Sequence, residues 1–428
     1  RKVEGQDKGA RKKGSGTRLN MDRKRIAAWV LYDFANSVYP AVITGTVFSV
    51  YYATKIVGNE KGEGDLWWGR VISVSMLFAA ITSPVLGSIA DRTGIRKRLL
   101  FFYTYLCVIS VALFTVLEPG MVITGFLLAL TANIGFESAL VYYNAYLPEI
   151  APREKRGYVS GIGYGAGYAG SITGLVVALI LVYAGQFELI WLFTALFFAL
   201  VSIPVFVVLP EKQGSAVLST FGAIGNGLKG FRRLFRDVSD LRELRRFLLA
   251  YFVYIDGVNT IAYFAAIFAA TTLGFSPRGL IYLFLAVQVS ALAGSLAMAR
   301  PTDLWGPKKV IFAALFLMAV VVVSVYFAYS KTVFFSLAVF AGLGLGAVQS
   351  ASRSLMSLLI PRGRETEMFG FYAFCGKSSS IIGPFVFGAV SHALAGDQRT
   401  ALLTVVVFFV AGVILLRRVA PVAADSLH

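Results

Sequence analysis

The chain has 428 residues, of which 57% are hydrophobic and only 15% are charged, and its mean hydropathy is +0.72. This composition cannot cover the surface of a soluble protein, so it excludes the soluble classes and indicates an integral membrane protein. The formal net charge of +17 would suit nucleic acid, but the sequence contains no folded basic domain, so we expect no nucleic-acid partner.

The residue types that build metal and redox sites are scarce. The two cysteines, Cys107 and Cys375, both fall in apolar segments, so no disulfide framework is predicted. The two histidines are His392 and the C-terminal His428, which leaves almost nothing for a metal site. The sequence offers no set of nucleophile and base either. We therefore expect no metal, no cofactor and no enzymatic activity.

Twelve apolar runs are long enough to cross a bilayer, which predicts an all-α membrane protein with twelve transmembrane helices. They cover residues 27–54, 67–90, 99–117, 121–146, 158–184, 188–209, 247–272, 279–299, 309–329, 333–360, 369–394 and 399–416. Of the 40 Lys and Arg residues, 32 lie on one side of the predicted membrane. These 32 stand before the first run, in the even-numbered connections between runs, or after the last run. By the positive-inside rule, both termini and the middle loop are predicted to be cytoplasmic.

The spans divide into two halves around a long basic loop. The predicted organisation is a basic, largely disordered tail (1–26), an N-terminal six-helix bundle (27–209), a cytoplasmic linker (210–246), a C-terminal six-helix bundle (247–418) and a short cytoplasmic tail (419–428). Residues 221–235 of the linker mix Phe and Leu with Lys and Arg. This pattern fits an amphipathic helix on an anionic membrane surface and, equally well, a solvated basic linker.

The first span carries three polar residues on one helix face, Asp33, Asn36 and Ser37, because they are three and four positions apart. The seventh span repeats the pattern 223 positions later, with Asp256, Asn259 and Thr260. The two acids lie 8 and 10 residues after the last cytoplasmic arginines, Arg25 and Arg246, which is about 12–15 Å along a helix and near mid-bilayer. An acid at this depth is costly and usually marks a binding site or pathway, although a buried helix–helix hydrogen bond is the alternative.

The connection after the second span is also repeated. The pattern D-x-x-G-x-[KR]-[KR] occurs at residues 91–97 and again at 303–309, on the same predicted side of the membrane. A weaker echo joins residues 148–157 to 361–365, after the fourth and tenth spans. These ordered repeats indicate a parallel duplication of six plus six spans.

Further polar residues follow one face of the fourth and tenth spans. They are Asn133, Glu137 and Asn144 in the fourth span, and Gln349 and Arg353 in the tenth, while Lys377 stands in the eleventh. The spans thus hold three acids and two bases, so one carboxylate has no fixed cation. Because desolvation favours its neutral form, it is a candidate proton carrier, and Asp33 or Asp256 is favoured. Glu137 and Arg353 would then form a pair, either a clamp for a zwitterion or only a structural bridge.

The D-x-x-G-x-[KR]-[KR] loop is similar to the signature loop of the major facilitator superfamily. Within that superfamily, the chain resembles the vacuole-effluxer (autophagy-related) family and its bacterial relatives. The resembling segments are residues 29–37, 143–152, 157–161, 256–260, 349–354 and 369–372. The resemblance covers the chain after residue 26 and implies the major facilitator fold, in which two pseudo-symmetric six-helix halves enclose a central cavity.

The resemblance also implies roles for individual residues. In the superfamily, spans one, four, seven and ten line the cavity, which would bring Asp33, Glu137, Asp256 and Arg353 around one site. The signature loop latches the cytoplasmic side through charge pairs that break on opening. The predicted gate comprises Asp91, Arg92, Gly94, Arg96, Lys97, Arg153, Arg156, Asp303, Gly306 and Lys308. Ordinary positive-inside anchoring is the alternative explanation for these charges.

Together, these features predict a secondary active transporter that moves a small polar or zwitterionic, amino-acid-like solute by alternating access. Fungal relatives are associated with release of amino acids from the vacuole, so the resemblance favours this class. We expect coupling to protons, with sodium as the alternative, and leave the direction of transport open. An amphiphile such as a lysolipid is the alternative solute, and a membrane sensor or scaffold is the alternative function. We expect a monomer in the lipid bilayer of a bacterial inner (plasma) membrane.

Overall fold

A computed structural model describes residues 22–58, 63–211, 236, 238, 240–379, 382–394 and 397–420. The regular elements in these ranges are helices and helical turns. The predicted disordered tail up to residue 21 and the predicted amphipathic segment 221–235 lie outside the described residues. The side chain of His392 is likewise outside the description.

The first half of the chain forms nine α-helices within the described residues. They are α1 (Arg23–Asn36), α2 (Val47–Tyr51), α3 (Glu63–Thr93), α4 (Arg96–Ala112), α5 (Val122–Asn144), α6 (Leu147–Ile150), α7 (Arg156–Tyr183), α8 (Phe187–Val201) and α9 (Ile203–Val208). The second half continues with α10 (Arg242–Thr271), α11 (Pro277–Ala297), α12 (Ala299–Trp305), α13 (Pro307–Tyr326), α14 (Lys331–Leu359), α15 (Glu365–Ser379), α16 (Ile382–Ala393) and α17 (Gln398–Arg417).

Ten helical segments of the described chain are long and apolar enough to cross a membrane. They account for ten of the twelve predicted spans. Helix α10 occupies the position of the predicted seventh span, and α15 with α16 occupies that of the eleventh. The all-α membrane architecture is therefore confirmed, whereas the count of twelve crossings stays a prediction.

The first predicted span, residues 27–54, lies within one helical segment, Arg23–Val57, whose helix type changes along its length. A π-helical turn, Pro40–Thr44, separates α1 from α2, because proline lacks the N–H group that an α-helix requires. The freed carbonyls find other donors: the N–H of Gly45 donates to Pro40 O (2.9 Å), and Thr46 Oγ1 donates to Ala41 O (2.6 Å). Residues in and after this π-helical turn, namely Pro40, Ala41, Gly45 and Thr46, line the cavity described below.

The buried apolar residues form two cores. One core runs from Ile26 to Leu209, and the other lies mainly between Val238 and Val419. Helix α7 joins the halves, because its glycines let other helices approach closely. A Cβ at Gly170 would lie 2.0 Å from Phe34 O in α1, and a Cβ at Gly161 would lie 2.4 Å from the Ala299 Cβ in α12. These glycines therefore serve close helix packing.

Candidate functional site

A cavity of about 460 Å³ is lined by residues of both halves. Its polar lining comes mainly from the first half, namely Asp33, Asn36, Ser37, Thr46, Asn144, Tyr164, Tyr168 and Ser171. The first span contributes Pro40, Ala41 and Gly45 to the same lining. One wall of the cavity therefore offers charged and hydrogen-bonding groups.

The second half supplies a wall of a different character. Its polar contributions to the described lining are Gln288 and Arg353, and the rest is apolar or glycine, including Val258, Ile261, Phe268, Leu283, Phe284, Met318, Val322, Phe334, Leu345 and Leu402. This apolar wall extends past α10 and α14 to residues of α13 and α17. The cavity is thus amphiphilic, which fits a ligand with one polar and one apolar end.

A buried ion pair closes the polar end of the cavity and links the two halves. Arg353 of α14 donates from Nη1 to Oδ2 of Asp33 in α1, at 2.9 Å. Arg353 is only 2% exposed and Asp33 only 6%. Two buried charges compensate their desolvation only when they are paired and hydrogen-bonded, which makes each of these side chains dependent on the other.

The guanidinium of Arg353 is held by further groups of the first half. Its Nε donates to Ser160 Oγ (3.0 Å), its Nη2 to Ser160 O (2.8 Å) and its Nη1 also to Asn144 Oδ1 (3.3 Å). Its carbon Cζ lies 4.0 Å from the ring centre of Tyr164 and 4.7 Å from that of Trp29. Cation–π contacts of this kind are strongest when desolvated, as they are here.

Gly163 in α7 makes room for this arrangement. A Cβ at this position would lie 2.7 Å from Arg353 Nη2, 2.9 Å from Asp33 Oδ2 and 2.6 Å from the ring of Trp29. A larger residue would therefore push directly on the ion pair. Gly163 thus has a local role beside the packing role of the other glycines of α7.

One amide in the cavity wall has an unused donor. Asn36 is 2% exposed, and its Oδ1 accepts from Ser37 Oγ at 3.2 Å. Its Nδ2 has no hydrogen-bond partner among the described residues. Because an unmade buried hydrogen bond costs about 1–3 kcal/mol, a ligand oxygen that accepts from this group would gain affinity.

A second ion pair crosses between the halves outside the cavity lining. Lys377 Nζ of α15 donates to Glu137 Oε2 of α5, and both side chains are largely buried. The predicted pairing of Glu137 with Arg353 is therefore wrong in this conformation. The cause is the rotation of the helices: Arg353 points toward α1 and α7, whereas Glu137 points toward α15.

The remaining acid, Asp256, stands apart from the cavity. It is 1% exposed, and neither carboxyl oxygen has a hydrogen-bond partner among the described residues, although the backbone of Gly383 lies against it. It has no ion pair in the described part of the chain. The count of three acids against two bases predicted one unpaired carboxylate, and Asp256, not Asp33, occupies that position.

Other predicted site residues also lie away from the lining. Asn133 Nδ2 donates to Ser75 Oγ at 2.7 Å, and its Oδ1 accepts from Tyr39 at 3.4 Å, so it joins helices of the first half. Glu137, Asp256, Asn259, Gln349 and Lys377 are likewise absent from the described lining. Of the ten predicted binding residues, the structure brings together Asp33, Asn36, Asn144 and Arg353.

The repeated loops hold the halves together at one end of the bundle. Asp91 accepts from Thr366 Oγ1 (2.7 Å) and from the N–H of Glu367 (2.9 Å), so the acid caps the first turn of α15 in the other half. Asp303 accepts from the N–H groups of Gly157 (2.7 Å) and Tyr158 (2.9 Å) in the first turn of α7. Each repeat thus caps a helix of the opposite half.

The basic residues of the two loops behave differently. Arg96 is buried among three acids: Asp91 at 2.8 Å, Glu149 at 2.9 Å and Glu365 at 3.5 Å. Lys308, at the same motif position, donates to Arg417 O (3.0 Å) and Val419 O at the end of α17. In the first loop, the equivalent contact is made by Lys97, which donates to Leu209 O at the end of α9 (2.8 Å).

Gly94 and Gly306 occupy the turns of these loops with φ values of +76° and +87°, a region that favours glycine. Arg156 adds another link between the halves, donating to Ser357 O in α14 and to Pro148 O (3.0 Å). Arg92 and Arg153, by contrast, have no ion pair in the described ranges, so the structure gives them no role in closing this end.

The cavity and the loops lie toward opposite ends of the helices. Helix α10 begins on the loop side at Arg242, and its lining residue Phe268 stands near its other end. Helix α14 runs in the opposite direction, and its lining residue Phe334 stands near its start, again away from the loops. The loop contacts therefore close the side of the bundle on which the loops lie, and the cavity extends from Arg353 toward the opposite side.

Some contributors to the site were missed from the sequence. Trp29 lies four positions before Asp33 and thus on the same helix face, a spacing that could have identified it. Ser160 and Tyr164 stand in the glycine-rich α7, where the pattern of small residues drew attention to packing alone. Their contacts with Arg353 depend on which face α7 turns toward α14.

Sequence comparison identifies relatives along nearly the whole chain. The sequence model of the family described as "Vacuole effluxer Atg22 like" matches residues 70–422. An uncharacterised MFS-type transporter of Bacillus subtilis, YxiO, is 30% identical over 411 residues, covering 92% of this chain and 94% of its own. Autophagy-related protein 22 of Yarrowia lipolytica is 25% identical over 412 residues, covering 74% and 69% respectively.

Solved structures agree on the fold. The human organic anion transporter MFSD10 superposes with a TM-score of 0.77 at 16% identity, covering 92% of this chain and 99% of its own. The proton:xylose symporter XylE superposes with a TM-score of 0.74, also at 16% identity, covering 93% and 96%. At this identity the likeness shows the fold, which is that of the major facilitator superfamily.

Proposed function

Because the chain belongs to the vacuole effluxer Atg22-like family of major facilitator transporters, we propose that it is a proton-coupled secondary transporter for zwitterionic solutes with an apolar side chain. The observation that carries the proposal is the Asp33–Arg353 pair, which joins the two halves at the polar end of an amphiphilic cavity. An amino acid such as leucine combines the two charges and the apolar group that this cavity accommodates.

The chemistry of binding is an exchange of ionic partners. The solute carboxylate would accept from the Arg353 guanidinium, and the solute ammonium would donate to the Asp33 carboxylate. Both charges remain compensated throughout, since a zwitterion replaces one ion pair by two. Asn36 Nδ2, which lacks a partner among the described residues, would donate to the carboxylate as well. The apolar side chain would lie against Val258 and Ile261.

The two halves supply the two charges, so a bound solute would contact both. Alternating access would then rock the halves about this site. With the predicted topology, the described conformation has its cytoplasmic side closed by Asp91, Asp303 and Arg156, and its cavity on the outer side. Opening inward would require these cross-half contacts to break.

Transport into proteoliposomes tests the proposal. The purified protein would be assayed under an imposed pH gradient with radiolabelled leucine, glycine, lysine and glutamate. We expect uptake of leucine to exceed that of glycine, since glycine leaves the apolar wall uncovered, and to exceed that of the two solutes with a net charge. Equal uptake of all four, or uptake that ignores the pH gradient, would contradict the proposal.

The extent of the apolar wall favours a second candidate, a single-chain amphiphile such as a lysolipid. The apolar wall is spread over five helices of the second half, α10, α11, α13, α14 and α17, and it includes Met318 and Leu402. The same proteoliposomes would therefore be assayed for translocation of a fluorescent lysolipid. Lysolipid movement without amino-acid uptake would select this alternative.

A further inference from the structure

We propose that Asp256 is a proton-binding site separate from the solute cavity, located in the seam between α10 and α16. Its use in coupling rests on the proposed transport function, whereas its protonation does not. Asp256 and its mirror position Asp33 would then have different ligands: a proton for the former, and the ammonium group of the solute for the latter. Coupling would act between two sites rather than at one.

The carboxyl group lies in a tightly packed, dry position. It is 1% exposed, both of its oxygens lack hydrogen-bond partners among the described residues, and it does not contribute to the cavity lining. A Cβ at Gly383 of α16 would lie 2.7 Å from Asp256 Oδ1 and 2.0 Å from Thr260 Oγ1. Glycine at this position thus brings the backbone of α16 directly onto the acid.

No fixed cation compensates the group within the described structure. The cations on the helices packed against α10 are Arg278 on α11, Lys331 and Arg353 on α14, Lys377 on α15, and Arg399 and Arg417 on α17. Arg353 is bound to Asp33 and Lys377 to Glu137, while the other four stand at helix ends.

The acids and the histidine of these helices lie at their ends as well: Glu365 and Glu367 in the first turn of α15, Asp397 before α17, and His392 in the last turn of α16. An ionised carboxylate without a partner is far more costly to bury than a neutral carboxyl group. The geometry therefore favours a proton on Asp256 in this conformation.

A metal cation fits the position less well than a proton. Hard cations take about six or more oxygen ligands. The nearby hydroxyl of Thr260 already donates to Asp256 O at 2.8 Å, and the close packing of Gly383 leaves little room for water or further ligands. Binding adds one proton to a carboxyl oxygen, and release returns it to water, so α10 and α16 must separate before the proton can leave.

Infrared spectroscopy of the purified protein in lipid tests the protonation without any solute. We expect a carbonyl stretching band of a buried carboxylic acid at neutral pH, which disappears in Asp256→Asn and remains in Asp33→Asn. Thr260→Val, which changes the surroundings and keeps the acid, should shift the band, so the proposal stays testable if Asp256→Asn does not fold. Absence of the band from the wild type, or a band that none of these variants alters, would overturn the site.

Proteoliposome assays with leucine as probe test the coupling. Asp256→Asn imitates the protonated acid, so we expect it to lose accumulation driven by a pH gradient while downhill entry of leucine persists. Full pH-driven accumulation by this variant would overturn the coupling role. If the wild type does not carry leucine at all, the proposed function fails for this solute, and the infrared result still decides whether Asp256 holds a proton.

Discussion

Asp33 and Asp256 occupy the same position in a duplicated D-x-x-N-[ST] pattern, yet their surroundings differ completely. Asp33 pairs with Arg353 and faces the cavity, whereas Asp256 has no described partner and lies in a dry seam. The difference originates in the fourth and tenth spans. Helix α14 carries Arg353, but its counterpart α5, Val122–Asn144, contains no Lys or Arg. Both halves have the acid and only one of these two helices has the base, which is why the surroundings of the two acids differ.

The loops show the same divergence on a smaller scale. Asp91 and Asp303 both cap a helix of the opposite half, but only Asp91 also pairs with a buried arginine, Arg96. Lys308, at the corresponding position of the second loop, binds the end of α17 instead. The repeated motif therefore conveys the turn and the cap, while a buried charge network, that of Arg96 with Asp91, Glu149 and Glu365, forms within the described residues at the first loop and not at the second.

The largest effect is expected from Arg353→Gln, which leaves Asp33 as an uncompensated buried charge. Removing one member of a buried pair costs about 3–5 kcal/mol, and we expect a large drop in the thermal unfolding midpoint together with loss of transport. Asp256→Asn, which removes no ion pair, should leave the midpoint unchanged or raise it. Thermal unfolding of both variants in detergent measures the contrast.

The double variant Asp33→Asn/Arg353→Gln provides the control for this prediction. It removes both charges, so most of the stability lost in Arg353→Gln should return, while transport remains absent. A double variant as unstable as the single one would mean that Arg353 stabilises the fold through its contacts with Ser160 and Trp29 rather than through Asp33.

Gly163→Ala tests whether the Asp33–Arg353 ion pair needs the space that this glycine leaves in α7. The added methyl would press on Arg353 and Asp33, and overpacking of this kind costs about 1–3 kcal/mol. We expect a clear loss of leucine transport. Gly165→Ala is the matched control, because a Cβ there meets the side chains of Leu296 (2.7 Å) and Ser295 (3.4 Å) rather than the ion pair. If both variants transport equally well, the pair does not need the geometry described here.

The Glu137–Lys377 pair should matter less than Asp33–Arg353, because it lies outside the cavity lining. We expect Lys377→Gln to lower the unfolding midpoint and to slow transport without abolishing it. The exchanged double variant Glu137→Lys/Lys377→Glu should recover part of both losses. Complete loss of solute binding in Lys377→Gln would instead assign this pair to the solute site.

The smallest effects should come from the helix caps. Loss of a capping side chain costs about 1 kcal/mol, so local amide exchange should accelerate about fivefold. We expect Asp303→Ala to accelerate exchange at the start of α7 by about this factor, whereas Asp91→Ala, which also removes one of the acids around the buried Arg96, should accelerate exchange at the start of α15 by more. Hydrogen–deuterium exchange with mass spectrometry measures both. Faster exchange throughout both halves would show that these acids hold the whole closed side rather than single helix ends.

The sequence was a good guide to the helices because apolar run length and the distribution of basic residues are local properties. It also identified Asp33, Asn36, Asn144 and Arg353 as polar residues of inward-facing spans. It could not assign partners, since Asp33 and Arg353 are 320 positions apart and their contact depends on helix rotation. Pro40 could have signalled the change of helix type in the first span, whereas nothing in the sequence placed Gly383 against Asp256.

Leucine counterflow in proteoliposomes without a pH gradient tests the division of tasks between Asp33 and Asp256 most directly. This exchange requires solute binding and alternating access but no net movement of protons. The account predicts that Asp33→Asn abolishes counterflow and that Asp256→Asn retains it. Equal loss in both variants, or loss in Asp256→Asn alone, would contradict the account.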